Sequence, residues 1–133
     1  MATFFHIKAN DGSSRYAIGS TAFDEAGPAT LVVDANAFLI SETGGYGAKF
    51  TGAGLWNVTI NGAVEAFDPF YDGIDMLPVD PSSFFELTVG RTGTVFGGEW
   101  GVNFEGARST IRVPSRASLV SKQPPTSLSS IAA

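Results

Sequence analysis

Asp68, Asp72 and Asp75 lie in one short segment, Asp68-Pro-Phe-Tyr-Asp72-Gly-Ile-Asp75, and Asp80 follows soon after. Oxygen donors at that density suit a hard cation. Calcium takes about six to eight oxygens, and carboxylates on a glycine-containing loop can supply several. Spacing around Gly73 can turn Asp72 and Asp75 toward one cavity, so Asp68, Asp72 and Asp75 are the candidate metal ligands and Ca2+ the expected ion. Aspartates in exposed turns also serve their own backbone, which is the plain structural alternative. A second carboxylate chemistry is glycoside cleavage, which needs two carboxyls at a set separation. Asp72, Asp75, Glu86 and Glu99 could take those roles, with Arg91 and Arg112 as cations.

Much other chemistry is excluded by composition. The 133 residues include no cysteine and one histidine, His6. Disulfide scaffolds, thiolate metal sites and multi-histidine metal sites within this chain are therefore ruled out. Thirteen acidic against eight basic residues give a net charge of −5, which argues against nucleic acid as a partner. No Walker A, G-x-S-x-G, H-E-x-x-H or EF-hand pattern occurs. His6 has no evident partner and reads as a strand residue. No apolar run approaches the roughly 18 residues of a membrane helix. Trp56, Tyr46, Phe70, Tyr71 and Trp100 could form a carbohydrate-stacking surface or pack inside the fold.

The elements that must position these residues are short. Runs such as 30–33, 38–40, 57–60, 87–89 and 111–113 are rich in Val, Ile, Leu, Thr or Phe and are broken by glycine and proline. No window sustains a 3.6-residue apolar period over three turns, so strands between turns are expected throughout.

Two landmarks recur with one period. Val33, Ile60, Val89 and Val113 are 27, 29 and 24 residues apart, and Gly47, Gly73 and Gly101 are 26 and 28 apart. Each of those glycines precedes a small or branched apolar residue (Ala48, Ile74, Val102), with Phe50, Met76 or Phe104 two positions later. The second unit needs a two-residue gap between Ile60 and Val64. Such self-similarity predicts an all-β chain forming a parallel β-helix, a β-solenoid of about three to four short coils over residues 30–120. The alternative is an antiparallel β-sandwich, which also produces short strands at regular spacing. Residues 1–29 lack the landmarks. Asn10-Asp11-Gly12 between two apolar strands suggests a hairpin that caps the first coil. Residues 121–133 are Ser/Pro-rich and read as a disordered tail.

Gly44-Gly45-Tyr46-Gly47 matches the opening of the calcium-binding nonapeptide G-G-x-G-x-D-x-U-x. With the coil phrases at 34–39, 56–62 and 89–97, the chain resembles the β-helical regions of hemolysin-type (RTX-like) calcium-binding repeat proteins. That resemblance implies calcium binding and export by a route that does not read an N-terminal signal. The N-terminus is consistent with it, having no basic segment and too short an apolar stretch. Lys49 departs from the pattern, placing a cation where the motif has its ligand aspartate. The functional expectation is a non-catalytic structural or adhesive repeat domain, secreted or at a cell surface, with calcium, glycans or a stacking chain as partners. A small β-helical polysaccharide lyase or hydrolase is the alternative function, and the cytoplasm the alternative location.

Overall fold

The computed structural model describes residues 3–26, 29–52, 55–78, 84–104, 108–112, 118–121 and 131–132. Among them there are strands and turns and no helix. β1 (Thr3–Ile7), β2 (Arg15–Ala17) and β3 (Phe23–Ala26) make the first circuit, and β4 (Ala29–Val33), β5 (Phe38–Ser41) and β6 (Ala48–Gly52) the second. β7 (Leu55–Ile60), β8 (Ala63–Ala66) and β9 (Ile74–Pro78) make the third, and β10 (Phe84–Val89), β11 (Thr94–Gly97) and β12 (Val102–Phe104) the fourth. β13 (Arg108–Arg112) and β14 (Ser118–Ser121) start another circuit, and β15 (Ile131–Ala132) follows. Corresponding strands pair in parallel to form a six-stranded sheet β1-β4-β7-β10-β13-β15, a five-stranded sheet β2-β5-β8-β11-β14 and a four-stranded sheet β3-β6-β9-β12. The chain is a parallel β-solenoid. The antiparallel sandwich is excluded, because every strand pairing is parallel.

The landmarks of the sequence are neighbours in space. Val33 pairs with Ile60 and Ile60 with Val89, all fully buried. Val113 lies outside the described residues. The Gly73 carbonyl accepts the Ala48 amide at 2.9 Å, and the Gly101 carbonyl accepts that of Ile74 at 2.9 Å. The gap in the second unit is a shorter corner. Two residues separate Ile60 from Ala63, against four between Val33 and Phe38 and four between Val89 and Thr94. A Cβ on Gly62 at that corner would collide with the carbonyl oxygens of Asp34 and Ala37.

Alternation along each strand sends one row inward and the next outward. Leu31, Val58 and Leu87 stack in one inward column, and Leu39, Val64 and Val95 in another. Aromatic rings fill the middle: Phe23, Phe50, Trp56 and Phe85 are all buried, with Phe50 4.6 Å from the Trp56 ring and 5.3 Å from Phe85.

Both ends differ from expectation. Residues 3–26 form a coil of the solenoid, with β1 on β4, β2 on β5 and β3 on β6, and no hairpin. Asn10-Asp11-Gly12 still turns, with Gly12 at φ 78° and Ser13 bonded to the Asp11 carboxylate, but it is a corner between two different sheets. A tight turn does not force antiparallel pairing when β4 and β5 already offer parallel edges. In the expected tail, Ile131–Ala132 pairs with β13, whereas residues 122–130 lie outside the described residues.

Leu87→Ala should lower unfolding free energy by about 3 kcal/mol, because it empties the middle of an inward column. Thr59→Ala, on the outward face of the same sheet, should cost less than about 1 kcal/mol. Gly62→Ala should rival the leucine deletion, because backbone must move. Urea unfolding followed by far-UV circular dichroism measures all three.

Candidate functional site

The acidic segment forms the corner between β8 and β9, and the fold divides its aspartates between two jobs. Asp68 is a turn residue. Its Oδ1 accepts the Phe70 amide at 3.0 Å, and its Oδ2 accepts the Gly44 amide of the preceding coil at 2.9 Å. These two hydrogen bonds hold its carboxyl below the usual aspartate range. Asp68 thus uses Oδ1 to close its own turn and Oδ2 to tie that turn to the corner of the preceding coil.

Asp72 and Asp75 are buried, at 4% and 2% exposure. Asp75 lies on β9 between Ile74 and Met76, which enter the core, so its own side chain points outward. Register sets it beside Lys49 on one side and Asn103 on the other. Asn103 Nδ2 donates to Asp75 Oδ1 at 3.2 Å, and the Trp100 amide donates to Asp72 Oδ1 at 3.2 Å. Burial, then the charges of Asp75 and Glu99, push the Asp72 carboxyl up to about 7, against the lowering effect of its hydrogen bonds from Trp100 and Asn103. Tyr46 and Tyr71 lie beside these carboxylates, ring centroids 5.0 Å apart and edge to face. Burial, followed by the charges of Asp75 and Asp72, pushes the Tyr46 phenol up to about 12. Lys49 Nζ sits over the Tyr46 ring, 5.9 Å from its centre.

The cluster that forms is thus Asp72, Asp75, Glu99 and Asn103, walled by Tyr46 and Tyr71, with Asp68 outside it. A proton shared among close carboxylates, or a cation between Asp72 and Asp75, is what this arrangement can hold chemically. Among the described residues, no three His, Asp or Glu side chains are placed to hold a metal ion. Sequence reasoning noted Glu99 only as a carboxylate and did not reach Asn103. The repeat period could have found both contacts, because Asp72 to Trp100 and Asp75 to Asn103 are each 28 residues apart.

The other candidates are dispersed. Glu86 points outward from the six-stranded sheet, in register with Asn57 and Thr110. Arg91 is an exposed corner residue, and Arg112 is on β13 at the Thr88 position. Trp56 is fully buried and donates from Nε1 to the Thr51 carbonyl at 3.2 Å, so it presents no stacking surface, whereas Phe70 is exposed. His6 does have a partner: its Nε2 lies 2.8 Å from Asp34 Oδ1, across adjacent coils. A shallow cavity of about 360 Å³ opens beside this pair, lined by Lys8, Asn10, Asp11, Asp34 and Asn36 among others.

Comparison with protein-family models, curated proteins and solved structures returns no match. The site has to be read from its own chemistry.

Asp72 gives stability a definite pH dependence. Its folded pKa is raised, so between the ordinary aspartate range and about 7 the folded chain keeps a proton that the unfolded chain releases. Its contribution is full in acid and is lost as pH rises through that window. Asp72→Asn should leave stability near pH 4 unchanged relative to the parent and raise it near pH 8 by about 2 kcal/mol. Unfolding titrations at both pH values check this.

Proposed function

We propose that the chain is a non-catalytic, adhesive β-solenoid repeat domain of an RTX-like kind, secreted or displayed at a cell surface. In this reading the stacked coils hold outward side chains in fixed rows, and calcium is taken up weakly at Asp72 and Asp75. The observation that carries the scaffold reading is the unbroken register from Val33 through Ile60 to Val89, repeated at Gly47, Gly73 and Gly101. A solenoid so built keeps its rows at a constant spacing and offers them to extended partners.

The calcium component is supported by repulsion. Asp72 faces the charges of Asp75 and Glu99 in a buried setting, and a divalent ion would neutralise what a proton otherwise neutralises. Two carboxylates leave most of the coordination shell to water, which places the expected affinity at the weak end of protein calcium sites, about 10⁻⁴–10⁻³ M.

Millimolar calcium should therefore raise the melting temperature at pH 8 by a few degrees and have no effect near pH 4, where Asp72 is protonated. The shift should vanish in Asp72→Asn and Asp75→Asn. Melting unchanged by calcium at pH 8 removes the ion from the proposal. Release of reducing or unsaturated ends from any of a broad polysaccharide panel overturns the non-catalytic part.

A further inference from the structure

The three outward faces of the solenoid are not alike. The six-stranded sheet mixes Thr30, Asn57, Thr59, Glu86 and Thr88 with the exposed Phe4 and Leu55, and the four-stranded sheet aligns Asp24, Lys49, Asp75 and Asn103. The five-stranded sheet turns out Tyr16, Ile40, Glu65 and Phe96 side by side on successive strands, two aromatic rings and an isoleucine around one carboxylate. Beside that row, Phe38, Ala63 and Thr94 form a second one over a shallow hollow of about 310 Å³. Tyr16 is 55% exposed. Phe67, 46% exposed, packs against Phe96 at 5.6 Å between centroids. These rings and the isoleucine, held in register one strand apart, offer a row of faces on which a flat ligand can stack.

We propose that the outer face of the five-stranded sheet binds a neutral polysaccharide lying along the solenoid axis, with Tyr16, Phe38 and Phe96 stacking on sugar rings and Glu65 accepting hydroxyl hydrogen bonds.

Size decides against a second copy of the chain as the occupant. The four strands β2, β5, β8 and β11, about 4.8 Å apart, and four residues of about 3.3 Å each give a strip of about 250 Å². A stable protein interface needs about 800 Å² from each partner. A single polysaccharide chain fits the strip, and the length that one pyranose adds to an extended β-linked chain is close to one strand spacing. Successive rungs then meet successive sugars in equivalent positions. The ring chemistry fits as well, because aromatic faces take the apolar C–H side of a pyranose while its hydroxyls seek acceptors at the edge. Glu65 is the acceptor placed on the central strand, between Ile40 and Phe96. Partial burial raises its pKa, and a hydroxyl donor would compensate that desolvation. A uronate or sulfated chain would bring anions against Glu65 in a protein whose net charge is already −5. The ligand class is therefore neutral.

This inference concerns a different face from Asp72 and Asp75, and its failure would leave the scaffold and calcium readings standing. Cellohexaose, mannohexaose and chitohexaose are titrated into the full chain by calorimetry, with polygalacturonate as the acidic control. Saturable binding of at least one neutral hexamer is expected, weakened at least about tenfold by Tyr16→Ala and by Phe38→Ala, with a smaller loss in Glu65→Gln. Tyr16→Ala alters an exposed side chain, so an unchanged melting temperature is expected alongside the lost affinity. The proposal is overturned by no saturable binding of any neutral hexamer, by binding that Tyr16→Ala does not alter, or by preference for polygalacturonate. Dimerisation through this face, abolished by Tyr16→Ala, would overturn it equally.

Discussion

A side chain facing into this solenoid must lie directly above its counterpart one coil away, because parallel hydrogen bonding fixes strands about 4.8 Å apart and allows no drift in register. A one-residue slip in any strand would turn its apolar row outward. The chain therefore cannot vary the length of a coil inside a strand, and variation is confined to corners. The corner of two residues after Ile60 and those of four after Val33 and Val89 deliver Ala63, Phe38 and Thr94 to one register. Backbone packs against backbone at the end of these corners: a Cβ on Gly62 would strike two carbonyls, and one on Gly93, at the matching place in the next coil, would strike the Ile60 carbonyl.

The same constraint governs the polar side chains. Asp75 has outward parity on its strand, yet it is buried, because register places Lys49 and Asn103 on either side and Tyr46 lies close by. Asp72 is drawn to the same spot by the Trp100 amide of the next coil. Two carboxylates then share a space that water barely reaches, and one of them holds its proton nearly to neutrality. Periodicity placed these groups together, and their electrostatics followed. Asp68, only four residues before Asp72, escapes because its oxygens are taken by amides in a turn.

Period and spacing made the interior legible in the sequence. Val33, Ile60 and Val89, and the glycines 47, 73 and 101, needed only the rule that a recurring landmark marks one place in a coil. The outward faces were less legible, because an outward aromatic and an inward one look alike until strand parity is known. Trp56 is buried and Tyr16 exposed, the reverse of what residue type alone would suggest for a stacking surface. The acidic cluster was half legible: Asp72 and Asp75 are near in sequence, but Asn103 and the Trp100 amide come from 28 residues away. Composition cannot report such a partner. The period, applied to polar residues as well as apolar ones, could have.

The first coil hid its membership for a physical reason. Ile7 keeps the anchor position, 26 residues before Val33, but the other landmarks change: register puts Ala22 where the second coil has Gly47, Glu25 where it has Phe50, and Arg15 where it has Leu39. At these register positions the first coil carries polar or small side chains where the second carries the landmark residues, so the period is hidden although the pairing of β1 on β4, β2 on β5 and β3 on β6 is kept. Arg15 shows how a polar residue can hold such a place, because its guanidinium lies 5.2 Å from the centre of the buried Phe23 ring and packs its charge over the aromatic core.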